Sequence, residues 1–266
     1  MRASRLHGIR STIARHAVLA IFGVRRRLRD FGRSLTSVMP VSNDDLPRLA
    51  ARAWVRGRGI EIGALHHPMR LPQGAIVRYV DRLSVAELRR QYPTLAARRF
   101  AEVNVVDDAE RLAAFASASE DFVIANHFLE HCQDPIGALK NMVRVLRPGG
   151  VLFLTLPDKR ATFDCDRPVT SLTHLRSDHE RGPHGSRLNH YDEWVRLVEK
   201  VIGEEAIQKR IENLLSQDYS IHFHVWTFRE MLELFMSLAG ELGFEIMSAN
   251  NRGKEAAFVL RKNIDR

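Results

Sequence analysis

The chain has 266 residues, 45% hydrophobic and 27% charged, with a formal net charge of +8. That length and balance argue against a disordered or membrane-spanning chain and predict one main domain with additions. Its two cysteines, Cys132 and Cys165, form no CxxC pair, so no disulfide framework is expected and a reducing cytoplasm is the expected setting.

Residues 1–40 hold nine arginines and one acid, Asp30, so the whole formal charge of +8 belongs to this arm. Basic charge around a cleft would suggest nucleic acid; on an appendage it does not, and no nucleic-acid partner is expected. Residues 9–38 read as a basic amphipathic helix. The apolar run from Ala17 to Val24 is far short of the roughly 20 residues that span a bilayer. Arginines continue past it without a clear small-residue cleavage site, which fits a secretory signal poorly. Four readings stay open: a helix on an anionic membrane surface, a helix docked on a protein partner, an organelle transit peptide, or a solvated helix packed on the domain or a second subunit. The protein is expected in the cytoplasm, with peripheral membrane contact through this arm as one of those readings.

Residues 41–266 read as the main domain. Ser42 to Asp45 supply an N-cap and acidic first turn for a helix through about Val55. Gly57 to Gly63 holds a short strand, and Ala75 to Val80 a second that ends at Asp81. Ser84 caps a helix from Val85 to Gln91, stopped by Pro93. Val103 to Val106 is a strand, Asp108 to Phe115 a helix, Phe122 to Ala125 a strand and Ile136 to Leu146 a helix. Arg147-Pro148-Gly149-Gly150 then breaks the chain before the strand Val151 to Leu156. This alternation predicts a parallel, doubly wound sheet, with ligands at the carboxyl ends of its strands. Residues 158–224 interrupt the pattern with an insertion dense in Asp, His and Arg, helical near Glu193–Val201 and Glu204–Leu215. A helix from Phe228 to Leu242 and two strands, Phe244 to Met247 and Ala256 to Leu260, close the domain as an antiparallel hairpin.

Three stretches carry the chemistry: DAExL at Asp108–Leu112, DFVIANHFLEH at Asp121–His131, and RVLRPGG with LPD up to Asp158. Together with Glu61-Ile62-Gly63, the chain from about 58 to 262 resembles the class I S-adenosylmethionine-dependent methyltransferases, closest to the type 11-like group seen with sugar and small-molecule acceptors. The resemblance implies a Rossmann-like, mostly parallel seven-stranded α/β sheet ending in an antiparallel hairpin, with residues 158–224 as a lid that chooses the acceptor. It implies S-adenosyl-L-methionine as cofactor. Glu61, Gly63 and Ala64 would hold the methionine end, Asp81 the ribose, and Asp108 and Ala109 the adenine. Asn126 and His127 would line the departing methyl group. The usual GxGxG is reduced to Gly63, followed by Ala64-Leu65-His66-His67-Pro68, and the His66-His67 backbone is an alternative holder of the methionine carboxylate.

Two metal readings compete with this one. His127-Phe128-Leu129-Glu130-His131 spells HxxEH, a zinc-peptidase signature that needs both histidines on one helical face. Directly after a strand, and with Asp134-Pro135 close behind, that helix is not expected. The acids and histidines of 158–190 show no ligand spacing that stands out, so no metal is expected. The expected reaction is methylation of an oxygen on a hydroxylated small molecule or glycan. Candidate bases are His127, His224, His222 and Asp158. A nucleic-acid methyltransferase using the basic arm and a non-catalytic cofactor-binding module are the competing readings.

Overall fold

The computed structural model describes residues 52–251 and 253–264. The basic arm and the start of the helix expected after Ser42 lie outside the described residues. The described residues belong to one compact unit.

Seven strands form one sheet in the order β3-β2-β1-β4-β5-β7-β6. They are β1 (Arg58–Ile62), β2 (Ile76–Asp81), β3 (Val103–Val106), β4 (Glu120–Asn126), β5 (Leu146–Pro157), β6 (Phe244–Asn251) and β7 (Glu255–Lys262). The first five pair in parallel, and β7 runs antiparallel to both β5 and β6. The expected closing hairpin is therefore present.

Periodicity explains the layers. Alternate residues of β4 face opposite sides of the sheet. Val123 and Ala125 join a core with Ile136, Leu139 and Met142 of helix α2 (Pro135–Val145) and Leu234 and Phe235 of α6 (Phe228–Leu242). Phe122 and Ile124 join a second core with Met69, Phe153 and Val259. A strand buried on both faces reads as a continuous apolar run, as DFVIAN does. Gly59 is dictated by packing, because a Cβ there would come within 2.2 Å of the Phe122 carbonyl oxygen on β4.

Helix α1 (Val85–Gln91) starts as its sequence predicts. Ser84 accepts from the Glu87 amide, and the Glu87 carboxylate takes the Ser84 amide at 2.9 Å. Such a reciprocal cap is worth about 1 kcal/mol.

Three expectations need correction. No helix forms from Asp108 to Phe115. A single turn, closed by the Arg111 and Leu112 amides on the Asp108 carbonyl, ends at Leu112, whose φ is 49°. Arg144 of α2 donates to the carbonyls of Arg111, Leu112 and Phe115, which a continuing helix would have used. Nor does Arg147–Gly150 break the chain: Leu146 already pairs with Glu120, and the register shifts inside β5 before Val151 pairs with Phe122. The insertion holds three helices, α3 (Leu172–Arg181), α4 (His184–Leu197) and α5 (Glu204–Ser216). Helix α3 escaped prediction because its buried face is Leu175 and Asp178, and one of those two is a charge.

Candidate active site

Between β1 and β4 the strand order reverses direction, and a cleft opens there at the carboxyl ends of the strands. A cavity of about 470 Å³ fills it. Strand ends supply Ile62 and Gly63 at β1, Asp81 and Arg82 at β2, Asp108, Ala109 and Glu110 beyond β3, and His127 and Phe128 beyond β4, and Leu65, Leu88 and Tyr92 complete the lining on the loops and helix that follow β1 and β2. The far side is His131, Gln133, Asp218, Ser220 and Phe223.

The tips are held in strained backbone. Leu65, Leu112 and His127 are non-glycine residues at φ 45°, 49° and 49°. Leucine rarely adopts such angles, and strain of this kind persists where the surroundings enforce it. Gly63 takes φ 62° without that cost, and no atom lies within 4 Å of where its Cβ would be. It leaves a bare patch of backbone beside the cavity.

The two acids expected to grip ribose and adenine, Asp81 and Asp108, face the same cavity. Burial raises the Asp81 carboxyl above its usual range, with the Leu83 and Arg82 amides pulling the other way. Gly63, Ala109 and His127 line the cavity too. The other residues expected at the cofactor fall outside its lining. Glu61 is buried and accepts the Met69 amide at 2.9 Å and 3.1 Å through its two oxygens. Asn126 accepts from Thr155 Oγ1 at 3.1 Å. Ala64 sits in a turn in which the His67 amide donates to its carbonyl, so the His67 amide is already engaged. Leu65, between them, takes the place on the wall.

The candidate bases are sorted more sharply. His127 reaches Glu255 Oε2 at 2.9 Å through Nε2 and lies 3.4 Å from Glu130 Oε1 through Nδ1. Burial works to lower its pKa, but the two carboxylates override it and raise the group to about 9. At neutral pH His127 is a cation without a lone pair to accept a proton, which removes it from the head of the list. Asp158 is spent on structure: it accepts from the Arg160 amide, Nε and guanidinium and from the Phe228 amide. His222 Nδ1 is paired with Asp164 at 2.7 Å, and His224 is fully buried. The cavity takes Phe223, between them, instead.

His131, the last residue of the HxxEH stretch, lines the cavity. Its Nδ1 lies 3.0 Å from the Ile221 carbonyl and 3.1 Å from Ser220 Oγ. Donation to that carbonyl fixes the proton on Nδ1 and makes Nε2 the lone-pair atom. Burial lowers its pKa, with His222 and His127 adding to the effect and Glu130 opposing it, so the ring is neutral. The HxxEH pattern does not build a zinc helix, because Leu129–His131 is a single 3-10 turn and His127 precedes it in left-handed backbone. His131 was visible in that pattern; Tyr92, Gln133 and Ser220 carried no signal.

Residues 72–154 match the family model described as a methyltransferase domain. The matched segment makes the protein an enzyme with a methyltransferase domain, and its cofactor is S-adenosylmethionine. The cavity fits that cofactor: it has the size of a small-molecule site, two acids on neighbouring strand tips and an open glycine backbone. Solved structures similar to this chain include an S-adenosylmethionine-dependent methyltransferase from Methanosarcina mazei, at 18% identity and TM-score 0.45, covering 82% of this chain and 98% of that one. Another is a possible histamine N-methyltransferase from Thermotoga maritima, at 16% identity and TM-score 0.41, covering 91% and 100%. A protein from Pyrococcus horikoshii matches at 15% identity and TM-score 0.42, covering 90% and 91%. No curated protein matches the chain. Among the described residues no helix is long and apolar enough to cross a membrane.

Proposed function

We propose that the enzyme methylates a hydroxyl oxygen on a polar small molecule such as a sugar or glycan. The observation that carries this reading is His131, a neutral imidazole in the cavity wall whose tautomer is set by the Ile221 carbonyl. An alcohol gains most from a base that takes its proton as the new bond forms. Around His131 the wall offers Ser220, Gln133 and Asp218 as hydrogen-bonding groups and Phe128 and Phe223 as apolar faces, a mixture suited to a hydroxylated ring.

The bound cofactor supplies an electrophilic methyl group on a sulfonium. Asp81 would accept from ribose hydroxyls, Asp108 and the Ala109 backbone would meet the adenine edge, and the Gly63 backbone would approach the methionine end. Cationic His127 stays tied to Glu130 and Glu255 and orders the β4 tip. His131 Nε2 receives the acceptor proton, and the orientation of the two reactants contributes the rest of the acceleration. The α3–α5 insertion closes over the acceptor in this reading, and the basic arm contacts an anionic membrane surface or a protein partner.

An acceptor screen with a labelled methyl donor tests the proposal. Turnover on sugars or other polyols is expected, and turnover confined to amines, lipids or nucleic acid would refute it. Removing residues 1–40 should leave turnover intact; its loss would favour a phosphate-bearing acceptor.

A further inference from the structure

Four side chains with no task in methyl transfer converge in the insertion. His174 and Asp178 stand four residues apart on α3, which puts them on one helical face. His190 comes from α4, and His224 from the segment that leads into α6. One ligand atom from each lies within 4.8 Å of the others. His174 Nε2 is 3.1 Å from His190 Nε2 and 3.1 Å from Asp178 Oδ2, and His190 Nε2 is 3.8 Å from that oxygen. Zinc–nitrogen bonds of about 2.0 Å in a tetrahedron put neighbouring ligand atoms about 3.3 Å apart.

Hydrogen bonding alone does not account for this packing. His224 Nδ1 is buried with no hydrogen-bond partner, a condition that folded proteins rarely tolerate, and buried Asp178 Oδ2 makes no hydrogen bond beyond its ion-pair contacts with the two imidazoles. His224 turns Nε2 toward the Gln133 carbonyl at 3.4 Å. An outer carbonyl of this kind orients a metal-bound imidazole and leaves its other nitrogen free to ligate.

We propose that His174, Asp178, His190 and His224 form a closed four-ligand site for a divalent ion of the zinc class. Three imidazoles with one carboxylate suit zinc better than magnesium or calcium, which prefer oxygen alone. Four protein ligands leave no position for a reacting water, so the ion is structural. It ties α3 and α4 to the segment whose Phe223 lines the cavity, and so fixes the acceptor wall. The His174 side chain is 36% exposed and gives the ion its way in.

The test uses full-length protein stripped with chelator and titrated with Co²⁺, then Zn²⁺. One Co²⁺ per chain should bind with the intense visible absorption of tetrahedral coordination, and one Zn²⁺ should displace it. His190→Ala and Asp178→Ala should each weaken binding at least about 100-fold. His184→Ala, exposed at the start of α4, should keep the full equivalent. Uptake that survives both ligand substitutions overturns the proposal. So does uptake lost on His222→Ala but kept on His190→Ala, which would move the ion to Glu130, His131 and His222. Should the ligand variants fail to fold, the wild-type titration decides, because weak octahedral absorption or no stoichiometric uptake is equally fatal.

Discussion

The sheet-edge half of the cavity and the helical insertion solve the same problem in opposite ways. On the sheet side, the cavity is lined by residues at a strand's end or within two positions of it, at Gly63, Asp81, Asp108 and His127. Backbone pairing fixes where they stand. In the insertion, position comes from buried polar contacts. Arg167, 1% exposed at its side chain, donates to Asp164 at 2.9 Å, Glu193 at 2.7 Å and the His222 carbonyl at 2.7 Å. A sheet edge is a ready-made binding surface, whereas a helical insertion has to be pinned to become one.

The comparison breaks first if the cavity base is misassigned. His131→Gln should lower kcat by about 10²- to 10⁴-fold while affinity for S-adenosylhomocysteine stays the same. A variant with wild-type kcat would return the wall to simple packing. Next in size is the pin. Arg167→Met should cost about 3–5 kcal/mol, since it takes the cation from Asp164 Oδ1 and leaves that buried carboxylate with His222 opposite it. Thermal unfolding should show a fall of roughly 10 °C, with cofactor affinity in the folded protein unchanged. A coupled loss of cofactor binding would mean that the two halves are not separate devices. Smaller again is Asp81→Asn, expected to weaken S-adenosylhomocysteine by about 10- to 100-fold through the lost charged acceptor. Calorimetry finding no change would remove Asp81 from the ribose.

The same contrast explains what could be read from the chain. Strands β1 to β5, α1, α2, α6 and the closing hairpin were legible because each reads as a continuous apolar run or a periodic apolar face, and because Ser84, Pro135 and Gly243 mark element ends. The tips were legible because they follow directly from those strands. Helix α3 was not, because Asp178 occupies a position where periodicity looks for a hydrophobe. The candidate bases misled for a related reason. His222 and His224 have the spacing of residues on one face, but nothing in IHFHVW says that Phe223 turns to the cavity. His127 is at a strand tip as expected, but its charge depends on Glu255, which lies 128 residues away in sequence.

That distant partner supports the gentlest prediction. In the unfolded chain His127 titrates near 6.5. In the fold it is raised to about 9, because Glu130 and Glu255 outweigh the burial that would lower it. The folded state therefore holds the proton more tightly. The resulting stabilisation is fully present below about 6.5, declines above that value and is gone once the pH passes about 9. With 43% of the His127 side chain exposed, solvent screens much of the attraction, and the slope should be shallow. Chemical denaturation from pH 6 to 10 should show it, and Glu255→Gln should flatten it and move the His127 midpoint downward by NMR. An unchanged midpoint in that variant would show that β7 does not set the charge at the β4 tip, and His127 would again be a candidate base.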